Sequence, residues 1–376
     1  MRRVGVTGVN GLIGWHAAAR LRAARAAMQY RGEEPDIDVL LADRSTFAAP
    51  DALQRFVAAC DVILHFAGVN RGSDDDVAAG NDQITARLVE ALERSGAAPT
   101  LVFANSTHAE RDTSYGHAKR RASERFQAWA DGAGARYVDV IIPHVFGEHA
   151  RPFYNNVTAT FIQQVLEGAS PDVNPDGRVE LIHAGAVART MLNLGMQGPP
   201  GCHRLTGIEI GVPTLLARIQ ALHDAYEAGL FPDVNDVFDR DLFNAYRTAR
   251  GPSGWARSLQ VSTDARGRLF ETAKGGGGGQ TFVSWTHPGV TRGHHFHLHK
   301  VERFVVLEGE AVIRLRRVLH DDVHEFAVSG DSPQAIDIPT LWTHSIENVG
   351  PDPLVTLFWA HELFDPTNPD TYADQV

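Results

Sequence analysis

The chain has 376 residues, 43% of them apolar and 22% charged, with a formal net charge of −11 at pH 7. That length predicts two domains, or a large one and a small one. An acidic chain without a basic run excludes nucleic acid as a partner class, and no apolar stretch is long enough to span a membrane. Met1-Arg2-Arg3 leads straight into a first strand, so no leader is expected. The two cysteines, Cys60 and Cys202, lie in separate segments, and reduced thiols in a cytoplasmic protein are expected.

Arg3 to Thr7 is a short apolar strand, and an Ala-rich helix runs to about Ala27. Between them lies Thr7-Gly8-Val-Asn10-Gly11-Leu12-Ile13-Gly14, a strand–turn–helix in which glycines let backbone approach a pyrophosphate facing the helix N-terminus. Ile37 to Ala42 reads as a second strand ending in Asp43-Arg44. A carboxylate there favours the free ribose hydroxyls of NAD and an arginine the 2′-phosphate of NADP; with both present, either cofactor stays open. The strand Asp61 to Phe66 runs into Ala67-Gly68-Val69-Asn70-Arg71, which puts Phe66, Ala67 and Gly68 over the cofactor and Asn70 and Arg71 at the cleft mouth. Val77 to Arg94 reads as a helix.

Leu101 to Ala104 predicts a buried strand leading to Ser106, with Tyr115 and Lys119 on the helix that follows, through Ala130. Residues four apart share a helix face. An ammonium beside a phenol is expected to lower its pKa and make it a proton donor near neutral pH, while Ser106 hydrogen-bonds the same substrate oxygen. Together with the glycine turn, Ser106, Tyr115 and Lys119 resemble the extended short-chain dehydrogenase/reductase family, whose triad is Ser/Thr, Tyr and Lys. Of that family's Arg-Pro-x-Asn-x-Tyr-Gly pattern the sequence keeps Pro143 and Gly147 and puts His144 where an amide contacts the nicotinamide. Asn155 and Asn156 precede a helix through Leu166; they cap it, or, by the resemblance, hold a sugar or uracil. Phe231 to Tyr246, acidic and aromatic, is expected to pack on the first domain before a linker near Arg250 to Gly254. The domains are therefore drawn at 1–250 and 257–376.

Beyond that point short β-rich runs recur: Phe282–Trp285, Arg303–Leu307, Ala311–Leu315, Gln334–Ile338 and Leu354–Trp359. Their spacing predicts an all-β barrel or jelly roll behind the α/β, doubly wound first domain. Gly275 to Gly279 reads as a flexible loop. In an alternating strand His295, His297 and His299 share a face; Glu302 and His344 follow. Imidazoles and one carboxylate converging in a barrel suit a divalent first-row ion, zinc foremost, held by His295, His297, Glu302 and His344, with His294 and His299 as bystanders. The spacing His-x-His-x4-Glu-x6-Gly and Pro-x4-His-x3-Asn resembles the cupin family, with Leu341 in place of its usual glycine. Asp264 to Glu271 is similar to the opening of sugar 3,5-epimerase cupins, which use a His–Asp base and a Tyr acid. Here Tyr372, near the end, is the one tyrosine of this part, and Asp337, His287 and His324 all stay open as the base.

Thr7–Gly14, His65–Arg71, Ser114–Lys119, Tyr154–Val157, Gly293–His297, Phe364-Asp-Pro and Asn368–Tyr372 together resemble the CapF/WbjC-type bifunctional UDP-sugar epimerase/reductases over nearly the whole chain. That resemblance implies a UDP-2-acetamido-2,6-dideoxy-4-keto-hexose substrate and C3 epimerisation by the cupin. It further implies C4 reduction with NADPH to UDP-2-acetamido-2,6-dideoxy-L-talose, a precursor of UDP-N-acetyl-L-fucosamine for capsule or O-antigen. It tips the cofactor toward NADP, and a homo-oligomer is expected. Two other outcomes stand beside it: a single-activity 4-keto-sugar reductase whose cupin only binds or assembles, and a non-catalytic nucleotide sensor.

Overall fold

Near-continuous apolar runs favour strands buried on both faces, and such strands need helical crossovers to lie parallel. The first part of the chain follows this pattern: β1 (Arg2–Thr7), α1 (Leu12–Tyr30), β2 (Ile37–Ala42), α2 (Arg44–Ala48), α3 (Pro50–Ala59), β3 (Val62–His65), α4 (Asp74–Ser95), β4 (Thr100–Ser106), α5 (Ser114–Ala133) and β5 (Tyr137–Ile142). Then come β6 (His144–Phe146), α6 (Val157–Leu166), β7 (Arg178–His183), α7 (Ala184–Met196), β8 (Gly201–Arg204) and β9 (Ile208–Gly211). A six-stranded parallel sheet runs β2-β1-β3-β4-β5-β8, and a second sheet β6-β7-β9. The two-residue pleat sorts the strand side chains. Val62, Leu64, Val102 and Ala104 meet Ala17, Leu21, Val187 and Met191 on one face. Ile63, Leu101 and Phe103 meet Phe56, Leu88, Leu92 and Phe126 on the other. Each such side chain, fully buried, contributes about 1.5–3 kcal/mol. The architecture is Rossmann-like, as the sequence predicts.

The structure is a computed structural model describing residues 1–259, 261–264, 267–270, 272–275 and 279–376. It forms two compact units, Met1–Thr160 with Asn174–Val212, and Phe161–Val173 with Pro213–Val376. The break expected at Arg250 is therefore not where the chain divides. The segment read as closing the first domain becomes α8 (Val212–Glu227), β10 (Leu230–Phe231), α9 (Val237–Arg250) and α10 (Pro252–Trp255), and all but Val212 belongs with the β-rich part. The physical reason is polar as well as apolar. Arg247 on α9 donates to the Ile338 carbonyl at 2.6 Å, the Trp255 indole donates to the Arg247 carbonyl at 2.8 Å, and the Tyr226 hydroxyl donates to Asp337.

The remaining strands are β11 (Ala256–Ser258), β12 (Val261–Asp264), β13 (Gly267–Phe270), β14 (Lys274–Gly275), β15 (Gln280–Thr286), β16 (Thr291–Phe296), β17 (Glu302–Glu308) and β18 (Glu310–Arg317). They continue with β19 (Val323–Ser329), β20 (Gln334–Ile338), β21 (Trp342–Asn348), β22 (Leu354–Ala360) and β23 (Tyr372–Ala373). Two five-stranded antiparallel sheets, β11-β20-β17-β22-β15 and β19-β18-β21-β16-β23, enclose one core. Phe304, Ile336, Ile338 and Phe358 come from the first sheet, and Ile313, Leu315, Trp342 and Ile346 from the second. Ala265, Arg266 and Glu271 of the epimerase-like opening, and Gly276 to Gly278 of the glycine run, lie outside the described residues.

Candidate active site and metal centre

The glycine turn is built by close approach. Gly8 has φ 68°, and a Cβ there would meet the Ala67 nitrogen at 2.6 Å; a Cβ at Gly14 would meet the Gly8 carbonyl oxygen at 2.3 Å. Gly11 caps α1 without a side chain, so the helix start stays open to a ligand oxygen. Thr7 fixes the turn from below. Its hydroxyl accepts from Ala67 N at 3.3 Å and donates to His65 Nδ1 at 2.7 Å. His65 lies stacked with Phe47 and Phe103, and burial first, then Lys119, lowers its pKa to about 3. Asn10 is exposed, while Leu12, Ile13 and Phe66 are half-buried. Asn81 on α4, which sequence reasoning did not single out, holds the Gly68–Val69 loop through both its amide atoms, 3.2 Å from Val69 N and 2.6 Å from Val69 O. At the end of β2, Asp43 caps α2, its carboxylate accepting from Thr46 N at 3.0 Å and from the Ser45 hydroxyl at 2.6 Å; Arg44 stays exposed beside it.

Ser106 ends β4 and Tyr115 opens α5, whose N-cap is Thr113. Burial pushes the Tyr115 phenol up to about 12, opposed by a hydrogen bond with Ser106. This reverses the expectation that Lys119 lowers it. The Lys119 ammonium lies 5.8 Å from the Tyr115 ring centre and instead donates to the Ala104 carbonyl at 2.8 Å, over the face of Phe103. Burial brings the Lys119 pKa down to about 8, and Asp139 opposes that fall. Asp139, on β5, accepts from Asn105 at 3.1 Å and from Ser123 at 2.6 Å. It is the buried counter-charge of the triad, invisible in sequence because β4 and β5 meet only in the sheet.

The cleft-mouth residues form a pinned loop. Asn155 donates to the Asn70 carbonyl, Arg71 donates to the Phe153 carbonyl, and the Arg71 and Arg151 guanidinia lie 5.2 and 5.8 Å from the Tyr154 ring centre. Phe153 and Asn155 are left-handed, at φ 56° and 52°. Asn156 caps α6: its amide donates to Val145 O at 2.8 Å and its oxygen accepts from Ala159 N at 3.0 Å, so it is engaged inside the protein. His144 accepts from Val157 N at 3.4 Å.

In the second unit His295, His297, Glu302 and His344 converge, their ligand atoms all within 4.8 Å of one another. The strand alternation that groups His299 with them does not hold, because the β16 register shifts between Gly293 and His295 and the strand ends at Phe296. His299 turns to Asp370 at 3.0 Å and Glu362 at 3.6 Å, and His294, at φ 55°, stands apart. The ring tautomers favour a cation. His297 Nδ1 donates to the Asp370 carbonyl at 2.5 Å, and His344 Nδ1 lies 3.4 Å from the Trp342 carbonyl. A carbonyl only accepts, so His344 Nε2 carries the lone pair, whereas His297 donates from Nδ1 to Asp370 and from Nε2 to the Glu302 carboxylate at 2.9 Å, a proton that a bound ion would replace. His344 Nε2 is buried with no hydrogen-bond partner among the described residues, and Glu302 Oε2 is 3.7 Å away. Burial raises the Glu302 pKa, but the imidazoles, His297 foremost, outweigh it and keep the carboxylate ionised. These donors fit a zinc-like ion.

A third group, His16, Glu148 and His183, is equally close but fits an ion poorly. His183 Nδ1 accepts from Gly185 N at 3.3 Å while its Nε2 meets Glu148 at 2.8 Å. Nε2 therefore carries the proton, and ligation would require an imidazolate. The group reads as a buried hydrogen-bonded tie from α1 to β6 and β7.

Residues 4–201 match the model of the NAD dependent epimerase/dehydratase family. The chain belongs to that family. Residues 262–372 match the polysaccharide biosynthesis C-terminal domain. The chain is 30% identical over 380 residues to a UDP-2-acetamido-2,6-beta-L-arabino-hexul-4-ose reductase of Pseudomonas aeruginosa, covering all of this chain and 99% of the relative. Among solved structures, the capsular polysaccharide assembling protein CapF of Staphylococcus aureus aligns over the full length of both chains with a TM-score of 0.60 and 27% identity. Bordetella bronchiseptica WbmF, solved with NAD+ and UDP, shares the fold over 66% of this chain and 92% of its own, at a TM-score of 0.54 and 16% identity. No helix among the described residues is long and apolar enough to cross a membrane.

Proposed function

We propose that this chain is a bifunctional nucleotide-sugar enzyme of polysaccharide biosynthesis. Its first unit reduces the C4 ketone of a UDP-2-acetamido-2,6-dideoxy-4-keto-hexose with NADPH. Its second, of cupin type, epimerises that sugar at C3. The product is UDP-2-acetamido-2,6-dideoxy-L-talose, on the way to UDP-N-acetyl-L-fucosamine for capsule or O-antigen. The observation that carries the reductase is the Ser106–Tyr115–Lys119 constellation at the end of a parallel strand, backed by Asp139. The full-length likeness to a named 4-ulose reductase supports the substrate class.

When bound, the nicotinamide supplies the hydride to C4. Tyr115 gives its proton to the O4 oxygen, so the ketone becomes a secondary alcohol, and Ser106 holds that oxygen in line. Lys119, kept cationic by Asp139, favours the phenolate left behind. Arg44, exposed at the end of β2, is the residue suited to a 2′-phosphate, and Asn70, Arg71 and Asn155 offer donors to the uridine diphosphate sugar. In the second unit a divalent ion, when bound, would supply Lewis-acid stabilisation to the enolate form of the sugar. His295, His297, Glu302 and His344 would hold it.

Four protein donors would leave a four-coordinate ion no open position, which favours a second reading in which the ion only braces the β unit. Incubation with the UDP-4-keto sugar in deuterated water separates the readings. Tyr115→Phe is expected to keep C3 deuterium wash-in and stop reduction, and His297→Ala to do the reverse. Normal wash-in by a metal-free His297→Ala protein would leave the ion structural, and no wash-in by the native protein would leave a reductase alone.

A further inference from the structure

The segment 369–374 runs along β16 and its following turn and reaches the start of β21, the elements that carry the imidazoles. Its centre is Asp370, buried and left-handed at φ 44°. The Asp370 carbonyl accepts the His297 Nδ1–H at 2.5 Å. Its carboxylate accepts from the backbone N–H groups of Leu298 at 3.1 Å, His299 at 2.9 Å and Lys300 at 2.8 Å, and pairs with His299 Nδ1 at 3.0 Å. One residue thus holds the His297 ring by its Nδ1–H and clamps the turn behind it. Lys300 Nζ returns the hold by donating to the Pro369 carbonyl at 2.6 Å. Next, β23 pairs with β16 at His295–Ala373 and Phe296–Tyr372. Asp374 then reaches β21. Its carboxylate accepts the Thr343 hydroxyl at 2.5 Å and pairs with Arg316 at 2.7 Å, and its N–H donates to the His294 carbonyl at 2.8 Å. Thr343 is the neighbour of His344.

We propose that residues 369–374 are a strap whose Asp370 positions His297 for metal binding and whose Asp374 steadies the start of β21, which carries His344; this rests on the metal reading above. Asp370 touches the ligand and not the ion, so it is a positioning residue. Groups that orient a ligating histidine are commonly worth 10–100-fold in metal affinity. The polar cluster His299–Glu362–Asp370 has its explanation here as well: the two ring nitrogens of His299 face different carboxylates, which holds an imidazolium and not an ion.

The test uses the full chain with zinc alone and with cobalt(II) alone. Zinc affinity is read by competition with a chromogenic chelator, and ligand geometry by the visible d–d bands of the cobalt form. Asp370→Ala leaves the backbone carbonyl facing His297 but removes the carboxylate that clamps the Leu298–Lys300 turn, and is expected to bind zinc about 10-fold more weakly and to change the cobalt bands. Asp370→Asn, which keeps an acceptor oxygen, is expected to fall between it and the native protein, and serves if the alanine variant does not fold. Asp374→Ala is expected to show a smaller loss. Native zinc affinity and native cobalt bands in Asp370→Asn and Asp370→Ala would overturn the strap while leaving the metal centre standing. Failure of the native chain to bind either ion would overturn the metal centre and the strap with it.

Discussion

At the scale of single residues, the proposed reductase site includes a buried carboxylate, Asp139, whose field reaches Lys119 and which the sequence hides. Tyr115 and Lys119 are legible because four residues bring side chains onto one helix face. Asp139 is not, because its nearness to Lys119 depends on β5 lying beside β4. Tyr115→Phe is expected to leave NADPH binding intact and lower kcat at least about 100-fold, read in stopped NADPH oxidation with the keto sugar. Asp139→Asn makes a subtler prediction. Lys119 already titrates near 8 because it is buried, and Asp139 is what resists that fall. Removing its charge lowers the Lys119 pKa further, so the ammonium is lost at lower pH. The alkaline limb of the kcat profile is expected to move to lower pH, and an unmoved limb would take Asp139 out of the mechanism. Arg44→Ala is expected to raise the KM for NADPH far more than that for NADH, since only NADPH carries the 2′-phosphate.

At the scale of elements, the places where the sequence misleads are those where a strand departs from regular pleating or a helix end hides its partner. The predicted alternation His295, His297, His299 fails at the β16 register shift. Asp43, open between a cofactor contact and a surface charge, is a capping-box residue. Leu341 shows a departure from pattern with a price in both directions. It sits at φ 62°, where the related motif has glycine, yet its side chain is buried and its N–H donates to the His297 carbonyl at 2.8 Å. Left-handed backbone costs about 1–2 kcal/mol, whereas truncating a buried leucine costs roughly 2–5 kcal/mol. Leu341→Gly is therefore expected to destabilise the β unit, checked by its denaturant midpoint. The first unit carries its own acid sensitivity. His16 and His65 are each held to about 3 by burial, so an unfolded chain takes up protons near 6.5 that the folded one refuses. Their contribution is complete above pH 6.5 and is lost as pH falls toward 3, by about 1.4 kcal/mol per pH unit for each ring. A urea midpoint that is the same at pH 7 and pH 5 would contradict this.

At the scale of the whole molecule, two units of unlike construction meet different thermodynamic demands. The parallel sheet is complete in its own helices, whereas the β unit gathers four ligands of one sign-compensated cluster around a buried imidazole nitrogen without a hydrogen bond. Metal that binds only the folded form stabilises it by about 2.7 kcal/mol at one hundred times its Kd. Chelation is expected to lower the unfolding transition of the β unit and leave that of the first unit in place, seen by calorimetry; an unchanged trace would speak against a bound ion. The two-unit division itself was legible in the change from helical to β-rich composition, but its exact line was not, because α9 carries a helical pattern yet docks through Arg247 on a strand that comes later. The strap has a consequence for how the protein is born. Asp370 leaves the ribosome 73 residues after His297, roughly 4–15 s at ordinary elongation rates. Through that interval the nascent β unit has its histidines without the acceptor that orders them, so a chain stalled before Asp370 carries the whole first unit and an unclamped imidazole cluster.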